Sequence, residues 1–292
     1  MKVLSLFDGI SCGRLALERA GIPVERYVAY EIDENAIKIS KKNWNDIEYR
    51  GDVTKECFSM FEGQFDLLIG GSPCQNLSSM GDGSGLMGEK SRLFFDYVRA
   101  KDLCKPKYFL LENNASMTKK NRDVITSIIG CEPILINSAD FSAQTRKRLY
   151  WTNIPILPHM YENKSIVLKD ILEPVTQKKK YCVTNKVNKY LSDEYDGRKI
   201  QKNVKHNICN IDGKANCLST KSYDIGSNTS CVVKQNGDYY MLTPTEAERL
   251  QTLPDGYTDC VNDNKRYFAI GNGWTVDVIA HILSFLPDEY KK

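Results

Sequence analysis

The sequence of 292 residues has a formal net charge of +3, with 41% hydrophobic and 26% charged residues, the balance of a globular chain forming one large or two smaller domains. No run approaches the roughly 20 apolar residues of a membrane span, and Met1-Lys2 leads straight into an apolar segment, too short an opening for a signal peptide, so a cytoplasmic protein is expected. Ten cysteines form no C-x-x-C pair and three histidines stand far apart, which argues against a metal site and for reduced thiols, while the mild charge permits a polyanionic partner without requiring one.

In chain order, residues 3–7 read as a strand and 14–20 as a helix stopped by Gly21. A strand at 27–30 leads to a helix through Ala36, and 47–49 to a third strand ending near Asp52. The apolar run 65–69 is a strand. A helix at 93–103, a strand at 108–111, a helix near 122–129 and a strand at 133–136 follow. This alternation predicts a mostly parallel sheet with helices on both faces. Ligands of such sheets bind beyond the carboxyl ends of the strands. The polar residues there are Asp8, Glu31, Asp52, Cys74 and Glu112. A carboxylate at one strand end is commonly a helix cap, but this set would converge on one crevice.

Cys74 stands in Gly70-Gly71-Ser72-Pro73-Cys74-Gln75-Asn76, directly after a strand. The glycines allow tight turning and the proline fixes one dihedral, which presents the thiol to a substrate. An ordinary buried cysteine is the plainer alternative. From about Pro158 to Met241 the alternation is lost. Lys178-Lys179-Lys180 reads as a solvated charge run, and Asn, Ser, Thr, Gly and Lys dominate 199–236. A smaller, irregular domain is expected there. Thr243-Pro244-Thr245-Glu246 reads as a helix start. The turn Gly271-Asn272-Gly273 precedes an apolar helix at 276–286 with one face to bury.

Together these residues resemble the DNA cytosine-5 methyltransferases, over nearly the whole chain and in the family's order. Phe7-Asp8-Gly9-Ile10 with Gly13 is similar to the first cofactor motif, and Ser72-Pro73-Cys74-Gln75 to the nucleophile motif. Glu112-Asn113-Asn114 stands where Glu-Asn-Val is usual. Gln144-Thr145-Arg146-Lys147-Arg148 resembles Gln-x-Arg-x-Arg. Arg249-Leu250-Gln251 with Pro254-Asp255, and Gly271-Asn272-Gly273-Trp274, resemble the two closing motifs. Phe-Asp-Gly, Ser-Pro-Cys and the final tryptophan are similar to the animal de novo enzymes. Their chromatin-reading modules are missing, so the chain looks like a bare bacterial or phage enzyme. Ser11-Cys12 in place of a glycine pair, and Asn114 in place of valine, depart from the pattern.

The resemblance implies a Rossmann-like class I S-adenosylmethionine-dependent methyltransferase fold, doubly wound, with a smaller β-rich target recognition domain. The expected division is a catalytic domain at 1–157, a recognition domain at 158–242, and a segment at 243–292 returning to the first. It implies S-adenosylmethionine as donor, S-adenosylhomocysteine as product, no metal, and double-stranded DNA as substrate. A monomer is expected, with a cognate restriction endonuclease acting separately. Cys74 would add to carbon 6 of cytosine, covalent catalysis that activates carbon 5. Glu112 would hold ring nitrogen 3 and the exocyclic amine, and Arg148, supported by Arg146, would bind the base carbonyl or a phosphate. Phe7, Asp8, Gly9, Ile10, Gly13, Glu31, Ile32, Asp52, Val53, Pro73, Leu93, Asn272 and Trp274 would form the donor site, Glu31 toward the ribose and Asp52 toward the adenine amine. Gln75, Asn76, Ser78, Gln144 and Arg249 would meet DNA. The cytosine would be flipped out, and residues 75–90 would close over it as a loop. Two alternatives stay open: a tRNA cytosine methyltransferase on the same scaffold, and a regulator without turnover.

Overall fold

The early apolar runs become neighbouring strands of one sheet, because each is too short for a helix and is punctuated by a glycine or a capping residue. The computed structural model describes residues 1–72, 92–157, 162–192, 197–227 and 229–291. Two compact units emerge. The first holds Met1–Ile136, Lys147–Tyr161 and Val276–Lys292, the second Asn137–Arg146 and Glu162–Thr275.

In the first unit the elements follow as β1 (Lys2–Leu6), α1 (Cys12–Arg19), β2 (Arg26–Tyr30), α2 (Glu34–Asn43), β3 (Ile47–Tyr49), β4 (Leu67–Gly70), α3 (Leu93–Cys104), β5 (Tyr108–Asn114), α4 (Lys119–Ile129), β6 (Ile134–Asn137) and β7 (Lys147–Thr152). Local chemistry sets their ends. Asp33 caps α2 by accepting the Asn35 and Ala36 N–H groups, and Thr118 caps α4 through Asn121 N. Gly21 and Gly130 take left-handed backbone just past α1 and α4, where a side chain would be strained. The sheet order is β3-β2-β1-β4-β5-β7-β6. β1 to β5 run parallel and β7 runs antiparallel to β5. The order reverses between β1 and β4, and the crevice beyond their carboxyl ends is the ligand position of such sheets. Leu4, Leu6, Val28, Leu68, Phe94, Tyr97 and Trp151 fill the core beneath it. Gly70 serves packing, not only turning: a Cβ there would lie 2.9 Å from the Tyr97 ring and 3.1 Å from Leu6 O.

The second unit contains α5 (Thr184–Leu191), α6 (Arg198–Asn207), β8 (Ile208–Cys209), β9 (Val232–Gln235), β10 (Asp238–Met241), α7 (Pro244–Leu250) and α8 (Asp263–Asn272). The strands pair in the order β10-β9-β8. Asn236 and Gly237, both at positive φ, make the β9–β10 hairpin. Val187 of α5 and Val204 of α6 share a small core with Ile225, Val232 and Met241. Helix α7 starts as its sequence predicts: Thr243 accepts Glu246 N, Glu246 accepts Thr243 N, and proline follows the cap. The lysine run is not wholly solvated. Lys178 is fully buried, its ammonium 2.8 Å from Glu246 Oε1 and 2.8 Å from Gln235 Oε1. That buried pair binds α7 to the second unit, and residues 243–275 group with this unit instead of with the first. The chain rejoins the first unit with α9 (Val276–Leu283), which packs on α1, with Arg19 paired to Asp277 at 2.5 Å. Gly271 lies inside the last turn of α8, which runs to Asn272, where the sequence suggests a turn. A Cβ on it would come 2.4 Å from the Ser219 carbonyl carbon, so only glycine admits that approach.

Among the described residues, no helix is long and apolar enough to cross a membrane.

Candidate active site

The loop after β1 is bent by three left-handed residues within five, Phe7, Gly9 and Ser11. Such backbone is costly for a side chain and concentrates at functional loops. Asp8 holds the bend from inside. Its carboxyl accepts the hydroxyls of Ser5 at 2.6 Å and Tyr27 at 2.7 Å, and that of Ser11, while its N–H donates to Tyr30 O. Burial pushes its pKa up to about 6 against the pull of these donors. Asp8 therefore shapes the loop with its side chain turned inward. Ile10 is 1% exposed and belongs to the core, and Gly13 is buried in the first turn of α1.

Glu31, directly after β2, faces this loop. Its Oε2 accepts Gly9 N at 2.8 Å, and its Oε1 accepts Ile32 N and Asp33 N, each at 2.8 Å. One carboxylate thus fixes the loops after two adjacent strands, with the left-handed Gly9 supplying the first N–H. Beside it, Ile32 is 73% exposed, an apolar side chain offered to solvent next to a fixed carboxylate. Asp52 accepts the Thr54 N–H at 3.0 Å and the Thr54 hydroxyl at 2.8 Å. Those bonds hold its carboxyl below the usual range. Val53 is buried behind it, and Phe7 and Leu93 are half-buried against the core. Glu31 and Asp52 thus place two carboxylates at successive strand ends.

At the neighbouring strand ends, Ser72 follows β4 and is buried. The Asn113 side-chain amide donates to both its carbonyl and its hydroxyl at 3.3 Å. That links the segment entering Cys74 to β5; the residue drew notice only as a motif member. Glu112 precedes it, and Arg148 Nε lies 2.9 Å from Glu112 Oε1. Cys74, Pro73, Gln75, Asn76 and Ser78, and the loop 75–90, lie outside the described residues.

The second unit uses several expected site residues internally. Gln144, expected at DNA, is fully buried; its amide donates to Leu250 O and Gln251 Oε1 and accepts Leu218 N. Arg146, expected to support catalysis, is 4% exposed and donates to Leu218 O at 2.9 Å, Gly271 O at 3.2 Å and Gly273 O at 2.9 Å. A guanidinium has five donors in a fixed fork, and here they join two backbone segments, at Leu218 and at Gly271–Gly273, by serving three of their carbonyls. Arg249, also expected at DNA, is held in a fork by Asp255 and donates to Ile171 O. Asn272 is exposed and Trp274 half-buried at the end of α8. Among the described residues no three His, Cys, Asp or Glu side chains cluster as a metal site.

The chain has the mostly parallel sheet of the S-adenosylmethionine-dependent methyltransferases, with a carboxylate–guanidinium pair joining β5 to β7. The family model described as C-5 cytosine-specific DNA methylase matches residues 1–286, and the chain belongs to that family. It is 30% identical to the Type II methyltransferase M1.ScrFI of Lactococcus lactis subsp. cremoris, over 100% of this chain and 79% of that protein. To the Type II methyltransferase M.NlaX of Neisseria lactamica it is 28% identical, over 96% of this chain and 94% of the relative. The solved methyltransferase EhMeth of Entamoeba histolytica shares the fold with a TM-score of 0.78 at 19% identity, covering 100% of this chain and 99% of that one.

Proposed function

We propose that the chain methylates carbon 5 of a flipped-out cytosine in a defined duplex DNA sequence, through a covalent adduct with Cys74. The observation that carries this reading is the Glu112–Arg148 pair at the end of β5, two residues of the reacting constellation held together at 2.9 Å. Carbon 5 is a poor nucleophile until a thiolate adds to carbon 6, so the thiolate comes first. Glu112 holds ring nitrogen 3 and the amine as electrons move into the ring, and Arg148 turns its donor fork to the base carbonyl. S-adenosylmethionine supplies the electrophilic methyl when bound. Glu31 would accept from its ribose and Asp52 from its adenine amine, with Ile32, Phe7 and Leu93 offering apolar surface to the ring. After transfer a base, which a water can be, takes the carbon 5 proton, and its electron pair expels the thiolate. The bond between Cys74 and carbon 6 breaks as the ring regains its double bond.

The same reading takes the enzyme as a cytoplasmic monomer that marks a site also read by a separate restriction endonuclease. Bisulfite sequencing of DNA from a host expressing the chain tests activity and target together. Duplex carrying 5-fluorocytosine at that target should trap the wild-type protein covalently, since fluorine does not leave as a proton does. Cys74→Ala should not be trapped and should still bind donor. Methylation by the alanine variant, or activity on tRNA but not on DNA, would overturn the reading.

A further inference from the structure

We infer that the exposed lysine face of α6, extended by α5, grips the DNA phosphate backbone and adds affinity without reading sequence. This rests on the DNA reading above and goes further, dividing the second unit into a part that holds DNA and parts left to choose the site.

Helix α6 is two-faced. Ile200, Val204 and Asn207 turn to the small core, and Arg198, Lys199, Lys202, Lys205 and His206 are exposed on the opposite arc. On α5, Lys186 and Lys189 are exposed while Val187 is buried. The two helices carry six lysines and arginines and no carboxylate. The connection between them, with Asp193, Glu194 and Asp196, lies outside the described residues. Even counting it, residues 184–207 account for the whole net charge of +3.

Several ammonium groups elsewhere in the chain are paired. Lys105 pairs with Glu62, Lys169 with Asp212 and Lys180 with Asp263. Among the described residues, Lys186, Lys189, Lys199, Lys202 and Lys205 have no carboxylate within ion-pair distance. Like charges three or four apart on a helix repel, so this face costs helix stability until a polyanion covers it. Lys199 to Lys205 spans about 9 Å at 1.5 Å per residue, the reach of two or three phosphates on one strand at roughly 3.4 Å per step.

The three exposed lysines of this helix are not the groups that read bases, although Arg198 at its start carries a guanidinium fork. Base edges are read by planar amides and guanidinium forks. Two of the three amides on α6 are turned inward: Asn203 donates to Gly226 O at 2.9 Å, and Asn207 to Ser230 Oγ at 2.7 Å. Lysine is a flexible point charge that suits phosphate.

The test is the triple variant Lys199→Gln, Lys202→Gln, Lys205→Gln, compared with wild type for KM, kcat, salt dependence and bisulfite consensus. Each lost phosphate contact should remove about 0.9 from the log–log salt slope of duplex affinity. The triple variant should therefore lose about 2 to 3 from that slope and raise KM about tenfold or more near 150 mM salt. The target sequence and kcat should be unchanged, and the melting temperature should stay the same or rise slightly as the repulsion along the face is relieved. Exposed Lys105→Gln with Lys107→Gln, at the opposite end of β5 from Glu112, serves as the charge control. An active wild type with unchanged KM and slope in the triple variant overturns the inference while leaving the proposed function standing. A shifted consensus overturns it too, since the helix would then read bases. A wild type that methylates no DNA, or binds structured RNA in preference, removes the DNA reading itself.

Discussion

Arg148 Nε and Glu112 Oε1 stand 2.9 Å apart across two antiparallel strands, each side chain only 14% and 12% exposed. The register explains the meeting: Arg148 lies opposite Asn114 and Glu112 opposite Tyr150, so the two are diagonal neighbours on one sheet face. The sequence separation of 36 residues is thereby reduced to a hydrogen-bonded ion pair beside the segment that enters Cys74. If this pair orients the base, Glu112→Gln should lower kcat by roughly 10²- to 10⁴-fold, the range of positioned acid–base groups. Arg148→Lys keeps the charge but loses the planar fork, and should fall mainly in affinity for flipped base or in kcat. Donor affinity by calorimetric titration should stay at the wild-type value in both. Near-wild-type turnover in Glu112→Gln would remove Glu112 from the mechanism.

Much of the first unit was legible because alternation of short apolar strands with capped helices needs only local signals. Glu31 and Glu112 were legible as strand-end carboxylates. β7 was not, because Lys147-Arg148-Leu149-Tyr150-Trp151-Thr152 begins with two charges and was absorbed into a motif; its pairing with β5 is a long-range fact. α5 and α6 were hidden by composition, since asparagine and lysine mask the helical spacing of Ile200 and Val204 or of Val187 and Leu191. Gln144 and Arg146 have internal partners that their motif does not announce. A motif marks them as needed, but the need met by their side chains is to satisfy buried carbonyls of the second unit. Lys178 was read with its neighbours as solvated, although a single buried carboxylate, Glu246, is enough to bring one lysine of the three inside.

That buried pair makes its own prediction. Both side chains are 0% exposed, and desolvation raises the Glu246 pKa against the pull of Lys178. Removing one partner strands the other, so Lys178→Met should cost on the order of 3–5 kcal/mol of stability. Lys178→Met with Glu246→Gln should cost less than the single change, because no buried charge is left stranded, even though Glu173 N and Thr243 N bond to separate carboxylate oxygens and the amide keeps only one acceptor. Urea denaturation of the two variants measures this. A double variant less stable than the single one would mean that the charge of Glu246, and not its pairing, holds α7.

Asp8 sets the pH dependence of the loop after β1. Its pKa in the folded chain is about 6 against an ordinary 3.8, burial being the main cause. Between those values the folded state binds the proton and the unfolded state has released it. The number of protons bound is therefore larger in the folded state, and stability must fall as pH rises through this window. Below about 4 and above about 6 the contribution is flat. The full gap of about two pH units is worth on the order of 3 kcal/mol. Asp8→Asn has no proton to lose, so the wild type should become progressively less stable relative to the variant from pH 4 to pH 6, with no further change to pH 8. Melting temperatures of both proteins across that range measure the difference directly. A difference that stays constant, or that grows in favour of the wild type as pH rises, would mean that the hydroxyls of Ser5, Ser11 and Tyr27 outweigh burial and that Asp8 is charged throughout.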